Sequence, residues 1–272
     1  MAPPVTVPSS YRDPAGFVIE DEGLFKRVIT RRGVEDYELY ITSGLHSDLV
    51  RRSLVVDHVE EPPPPGRNEW VKLLIPEQIR YISYPYEWSF DQLRDAALLT
   101  LEIQELALAR GMSLKDASAY NIQFRGPRPV FIDTLSFEAV KGGAWPAYEQ
   151  FCRHFLGPLL VMSYRAPAAG RLLKADLQGF PIDRVSRLLP RRSYLAPGPL
   201  LHIHLHARAI SRNSAAKTPV SAKTAGGMAP LIRSLRRAVE RIRRPAYPAA
   251  WTRYYAESRF YPPGAQQSKQ EG

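Results

Sequence analysis

Three side chains with oxygen donors fall within one stretch, GMSLKDASAYNIQFRGPRPVFID: Asp116, Asn121 five residues later, and Asp133 at the end of an apolar run. Magnesium is a hard cation that takes oxygen ligands, and one carboxylate with one amide oxygen can hold it while leaving positions for other ligands and water. That chemistry needs the side chains to meet. YNIQF and PVFID are short strand candidates joined by the Gly/Pro turn RGPRP, so the expected hairpin carries Asn121 and Asp133 to the same end. A second candidate is HIHLH, with His202, His204 and His206. On a strand, alternation would put all three on one face as possible zinc ligands. Their surroundings read as helix, where residues two apart diverge by roughly 200°, so partly exposed helix histidines are expected instead.

The elements that must position these residues are legible in outline. GFVIEDEGLFKRVI reads as two strands about a turn at Asp21-Glu22-Gly23, an acid-Gly tip between apolar flanks. GVEDYELYITSGLHSDLVRRS has helical spacing with a break at Gly44. LVVDHVEE and EWVKLLI are strand candidates on either side of the stiff loop EPPPPG, and IRYISYPYEW reads as a strand running into a connector. Ser89 and Gln92 form a capping box that opens the helix DQLRDAALLTLEIQELALARG, with Gly111 as its stop. Leu93, Ala97, Leu101 and Leu108 mark its buried stripe, widened by Leu98, Ile103 and Leu106, so the helix is expected in mid-core. Helical segments follow around AYEQFCRHFLGPLLVMSY, GRLLKADLQG and PLLHIHLHARAIS, with a last helix in APLIRSLRRAVERIRR.

The expected organisation is α+β and two-lobed. Residues 1–12 are a disordered Pro/Ser-rich start; 13–88 an N-terminal lobe of strands with one helical region; 89–245 a mainly helical C-terminal lobe with a flexible linker at about 214–227; and 246–272 a tail. No run approaches the ~18 apolar residues of a membrane span, the start lacks a secretory pattern, and Cys152 is the one cysteine. A reducing cytoplasm is therefore expected. The net charge is +10, and between Val161 and Ala250 seventeen Lys and Arg face three acids, Asp176, Asp183 and Glu240. A basic amphipathic helix such as 229–244 can meet a membrane or nucleic acid. Packing of its Leu231, Ile232, Leu235, Val239 and Ile242 face is the preferred reading, and the aromatic tail (Trp251, Tyr254, Tyr255, Phe260, Tyr261) is read as an inter-domain contact.

A long helix ending in Gly, a loop with Asp116 and Asn121, a hairpin and then Asp133 resemble the catalytic segment of the protein-kinase-like superfamily, including small-molecule kinases of the aminoglycoside phosphotransferase kind. The resemblance implies a two-lobed kinase-like fold that binds ATP and Mg²⁺. Asp116 would be the catalytic acid that positions or deprotonates an acceptor hydroxyl, and Asn121 and Asp133 the metal ligands. Lys26 or Arg27 would reach the phosphates, with Glu35 or Glu38 as partner; Lys72 is a further base for that role. YISYPYEW would be the adenine-binding connector. Leu114 and Lys115 stand where that pattern has His, TLSFE follows Asp133 in place of Phe-Gly, and no Gly-rich loop is present.

ISYPYEWSF, LRDAALLTLEIQELAL, GMSLKDASAYNIQF, VFIDTLSFE and AYEQFCRHFLGPLL together resemble the N-terminal region of a bacterial family described as class I SAM-dependent methyltransferases, some of them nodulation-protein-like. That resemblance implies a Rossmann-type methyltransferase domain after this region. Up to Gly272 no strand leads into an acidic or Gly-rich SAM loop, so SAM is expected only where such a domain follows. The expected function is a kinase-like nucleotide and Mg²⁺ module of a methyltransferase-type protein, with phosphotransfer as its possible reaction. The alternatives are a non-catalytic module that recruits substrate for, or packs on, a methyltransferase domain, and a basic membrane- or nucleic-acid-binding module.

Overall fold

The computed structural model describes residues 5–7, 13–213 and 227–245. The chain is mixed α/β. Its first half is built on a five-stranded antiparallel sheet, with β1 Val5–Thr6, β2 Gly16–Asp21, β3 Leu24–Thr30, β4 His58–Glu61 and β5 Trp70–Pro76 in the order β1-β2-β3-β5-β4. The β2–β3 turn is made by Glu22 and Gly23, both with positive φ (52° and 77°), as a two-residue hairpin that follows the strand twist requires. Between β3 and β4 run α1 (Val34–Thr42) and α2 (Leu45–Arg51), separated at Gly44 with φ 73°.

Alternation along β3 divides its side chains between two environments. Val28 joins Ile19 and Leu73 in a small cluster on one face, whereas Ile29 enters the main core with Tyr37 and Tyr40 of α1. Lys26 therefore goes with the Val28 face and Arg27 with the Ile29 face. The second face meets the rest of the molecule.

α3 (Phe90–Leu108) is the central helix. Ser89 Oγ accepts from Gln92 N–H, and the Gln92 side chain accepts from Ser89 N–H at 2.9 Å, so the capping box is present. Leu93, Ala97, Leu101 and Ile103 are buried, while Leu98, Leu106 and Leu108 are only partly so; at the last turn Ala107 holds the core position. β6 (Met112–Leu114) follows and pairs with β9 (Phe137–Ala139), and β7 (Ile122–Arg125) pairs with β8 (Arg128–Phe131). Residues 54–56 run alongside β8, with Phe131 N–H donating to Leu54 O and Val56 N–H to Phe131 O, which ties the hairpin to the first half.

The remainder is helical: α4 (Tyr148–Phe151) and α5 (Gly157–Tyr164) joined by a π-helical turn Cys152–Leu156, then α6 (Ile182–Leu188), α7 (Pro197–Pro199), a π-helical turn Leu200–Leu205, α8 (His206–Asn213) and α9 (Met228–Arg241). α9 buries Leu231, Ile232, Leu235 and Val239 and lies against α3. Arg236 pairs with Glu105 at 2.8 Å, and Arg244 with Asp91 at 3.0 Å. No helix among the described residues is long and apolar enough to cross a membrane. The expected start at 1–12 lies outside the described residues apart from 5–7, as do 214–226 of the linker and the whole 246–272 tail with its aromatic residues.

Two local expectations are corrected. IRYISYPYEW contains no strand, only a 3-10 turn at Pro85–Glu87. The backbone of Ser83 is paired instead with a side chain: Gln123 Oε1 accepts its N–H at 2.9 Å, and Gln123 Nε2 donates to its carbonyl at 3.1 Å. The histidines of HIHLH are buried rather than partly exposed. Both ring nitrogens of His202 meet hydroxyls, of Tyr148 and Ser234, and both of His204 meet those of Ser186 and Ser193. Hydrogen-bonded core histidines account for His202 and His204, while His206 stacks on Tyr148 with its Nδ1 buried and unpartnered.

Candidate functional site

The Asp116 loop is positioned from below by α3. Gln104, fully buried in an apolar helix, donates to Ser113 Oγ (3.0 Å) and accepts from Leu114 N–H (2.7 Å). Trp145 Nε1 donates to the Leu114 carbonyl at 2.8 Å, and Lys115 N–H donates to Ser136 O at 2.8 Å. With β6 fixed on both sides, the next residues turn tightly. Asp116 Oδ1 accepts from Ser118 N–H at 2.8 Å, Ser118 Oγ accepts from Tyr120 N–H at 3.2 Å, and a 3-10 turn over Ala119–Asn121 delivers the chain into β7. These are the Asx and Ser turns such residues favour in loops. Two side chains from the α4 region brace the loop: Gln150 accepts from Ala117 N–H at 2.8 Å, and His154 Nδ1 accepts from Ala119 N–H at 3.4 Å.

Asn121 and Asp133 meet through a serine. Asn121 Nδ2 donates to Ser136 Oγ at 3.2 Å, and Ser136 Oγ donates to Asp133 Oδ2 at 2.6 Å. The other carboxylate oxygen of Asp133 accepts from Leu135 N–H at 3.3 Å and pairs with Arg27 Nη1 at 2.8 Å. Both partners are largely buried, with side chains 19% and 18% exposed. Burial pushes the Asp116 carboxyl above its ordinary range, opposed by the Ser118 N–H, and the negative charge of Asp133 pushes it the same way as burial. Asn121, Ser136 and Asp133 thus share one polar cluster, with the Arg27 guanidinium against Asp133, and Asp116 is near enough to feel the Asp133 charge.

The other phosphate-facing candidates lie apart. Lys26 pairs with Asp21 at 2.8 Å and Glu61 at 3.8 Å, on the opposite face of β3 from Arg27. The Asp21 carboxylate raises its pKa against the effect of burial. Lys72 pairs with Glu60 at 2.9 Å. Glu35 and Glu38 are exposed on α1, and neither is the partner of Lys26 or Arg27; Glu38 contributes its carbonyl to Thr42 Oγ1. The connector carries exposed Tyr81, Ile82 and Tyr84, with Tyr84 stacked on Tyr86 at 5.3 Å.

Sequence reasoning missed Gln104, Ser136 and Gln150. Gln104 carried a signal, because it falls on the spacing of Leu93, Ala97, Leu101 and Leu108, where a polar residue must find buried partners. Ser136 had only its place three residues after Asp133, and Gln150 had none.

Asn121 gives an amide N–H to Ser136 Oγ, and the cluster offers two kinds of oxygen donor, the Asn121 side-chain carbonyl and the Asp133 carboxylate. Those hard oxygen donors fit a magnesium ion by type. Arg27 would share the same carboxylate with it.

No protein-family model matches the chain. Among curated proteins it is similar to nodulation protein NoeA of Rhizobium meliloti (strain 1021), at 34% identity over 209 residues, which are 75% of this chain and 44% of that protein. The chain thus spans less than half the length of that relative. The similarity supports a NoeA-like family for the chain.

Proposed function

We propose, taking the NoeA-like relationship as the starting point, that the chain is a kinase-like module of a methyltransferase-type protein that binds a magnesium nucleotide at Arg27, Asp116, Asn121 and Asp133. The observation that carries the reading is the convergence of Arg27, Asn121 and Asp133 from separate elements, with Asp116 within range of the Asp133 charge. The strand order β1-β2-β3-β5-β4, the helix after β3, and the β6–β9 and β7–β8 pairs around the Asp116 loop support a kinase-like arrangement. Asn121 and Asp133 would hold the metal, Arg27 would face the phosphates, and the metal would supply charge neutralisation there. Asp116, whose proton affinity is raised by burial, is suited to take a proton from an acceptor hydroxyl near neutral pH. The resemblance of the sequence to methyltransferase-type proteins adds, as part of the same proposal, a methyltransferase domain that would use SAM.

A second reading has its own observation. Both oxygens of Asp133 already have protein partners in Arg27, Ser136 and Leu135 N–H, which suits a non-catalytic module that recruits substrate or packs on another domain. The basic helix α9, with its apolar face buried and Arg236 paired, and with Arg244 just beyond it paired to Asp91, favours packing over membrane or nucleic-acid binding.

Thermal melts with ATP plus Mg²⁺ and with ATP plus EDTA separate the readings. A ligand at a hundred times its Kd stabilises by ~2.7 kcal/mol, so the first condition should raise Tm and the second should not. Asp133→Asn should remove the Mg²⁺-dependent part while the variant still melts cooperatively. No shift with Mg²⁺ and ATP would move the assignment to the non-catalytic module.

A further inference from the structure

We propose that His46, Asp57 and His58 form a binding site for a zinc-class divalent cation, remote in chemistry from the carboxylate–amide cluster. One donor atom from each residue lies within 4.8 Å of one from each of the others. His46 comes from α2, while Asp57 and His58 lead into β4, so a helix end and the start of the next strand converge here. His46 Nε2 stands 3.6 Å from Asp57 Oδ1, and the two imidazole rings are 4.5 Å apart. Tetrahedral zinc at ~2.0–2.1 Å from each ligand puts about 3.3 Å between ligand atoms, close to the His46–Asp57 spacing.

The hydrogen bonds assign the free nitrogens. His46 Nε2 and His58 Nδ1 are both buried and without a hydrogen-bond partner. A buried polar atom with no partner is costly unless something else satisfies it. Tyr37 OH donates to Glu60 Oε1 at 2.6 Å and lies 2.7 Å from His58 Nε2. A hydroxyl whose proton is already committed can only accept from the ring, so Nε2 carries the His58 proton and Nδ1 presents a lone pair. A carboxylate–hydroxyl–imidazole chain of this kind fixes tautomer and ring orientation at metal sites.

Asp57 is held ready by His58 N–H, which donates to its Oδ1 at 2.8 Å, and its side chain is 60% exposed, so the site opens to solvent. Two nitrogens and one carboxylate select zinc-class ions over magnesium or calcium. HIHLH differs: the His202 and His204 nitrogens are all met by hydroxyls, and although His206 Nδ1 is buried and unmet, among the described residues only His46, Asp57 and His58 bring three such donors together.

The test uses the full chain stripped with EDTA and then freed of chelator. Zn²⁺ is titrated against a chromophoric chelator, Co²⁺ by its visible d–d absorption, and melts are run with Zn²⁺ and with Mg²⁺. The expected result is one ion per chain, low-symmetry Co²⁺ bands, and a rise in Tm with Zn²⁺ alone. Tyr37→Phe should weaken Zn²⁺ binding by about 10–100-fold, and His46→Gln and His58→Gln should each weaken it further. An absence of stoichiometric binding, an equal response to Mg²⁺, or affinity unchanged in the histidine variants would each overturn the assignment. Should those variants fail to fold, Co²⁺ added to the unaltered chain decides the matter by NMR. Broadening of the His46 and His58 ring signals with His202 and His204 spared supports the site, and the reverse pattern refutes it.

Discussion

Lowering the pH should loosen the Asp116 loop through one buried histidine. His154 Nδ1 accepts the Ala119 N–H, so the native ring is neutral at that nitrogen, and burial, aided by the Arg153 charge, depresses its pKa from 6.5 to about 4. For a base with a depressed pKa, the folded chain binds fewer protons than the unfolded one between the two values. Stability is therefore whole above pH 6.5 and falls as pH drops toward 4. Each pKa unit is worth 1.36 kcal/mol, so this ring alone should cost about 2 kcal/mol at pH 5 and about 3 kcal/mol below pH 4. That is a large fraction of the ~5–15 kcal/mol typical of a domain. The assay is urea unfolding at pH 7 and pH 5 for the unaltered chain and for His154→Gln, in which the side chain can still accept from Ala119 but does not titrate. The variant should lose about 2 kcal/mol less across that interval. Equal losses, or a ring that titrates near 6.5 by NMR, would refute the reasoning.

Other substitutions probe the site and its supports. Asp116→Asn should leave Tm at pH 7 equal or higher, since burial disfavours the native carboxylate, while it abolishes any acceptor-dependent phosphate transfer; a marked fall in Tm would count against the assignment. Arg27→Gln should cost about 1.5–3 kcal/mol in urea unfolding, the range for a charge-assisted bond, and should make Tm more responsive to Mg²⁺ alone. Gly179→Ala should lose about 2–4 kcal/mol, because φ is +80° and a Cβ would stand 2.8 Å from the Arg153 carbonyl; normal expression and melting would show that this segment can shift. Ser89→Ala should cost ~1 kcal/mol by removing the cap of α3, measured in the same unfolding series.

Period and punctuation made the elements legible. The Asp21–Gly23 turn, the Gly44 break, the Ser89 cap and the RGPRP hairpin all act locally, and each lies where expected. The meeting of Asn121 with Asp133 was also readable, because a hairpin is a short-range device. The choice between Lys26 and Arg27 was not. It depends on which pleat of β3 faces the main core, and that core also holds residues from far along the chain such as Phe131, Leu135 and Phe137. The HIHLH histidines were placed on a helix correctly but were taken as partly exposed. Nothing local shows that Tyr148, Ser186, Ser193 and Ser234 arrive from four other segments to satisfy them. His46 and His58 gave no motif at all, since their spacing of twelve residues crosses a helix end, a loop and a strand start.

The Arg27–Asp133 pair, one end on the sheet and the other on the hairpin, makes one carboxylate the shared account of two events. Any cation that draws on Asp133 weakens the hold of Arg27 by the same factor by which Arg27 weakens the cation, because the coupling is reciprocal. Breathing of the sheet against the helical half and loading of the cluster are then one equilibrium seen from two sides. Added salt, which screens an exposed pair more than a buried one, should leave that linkage largely intact.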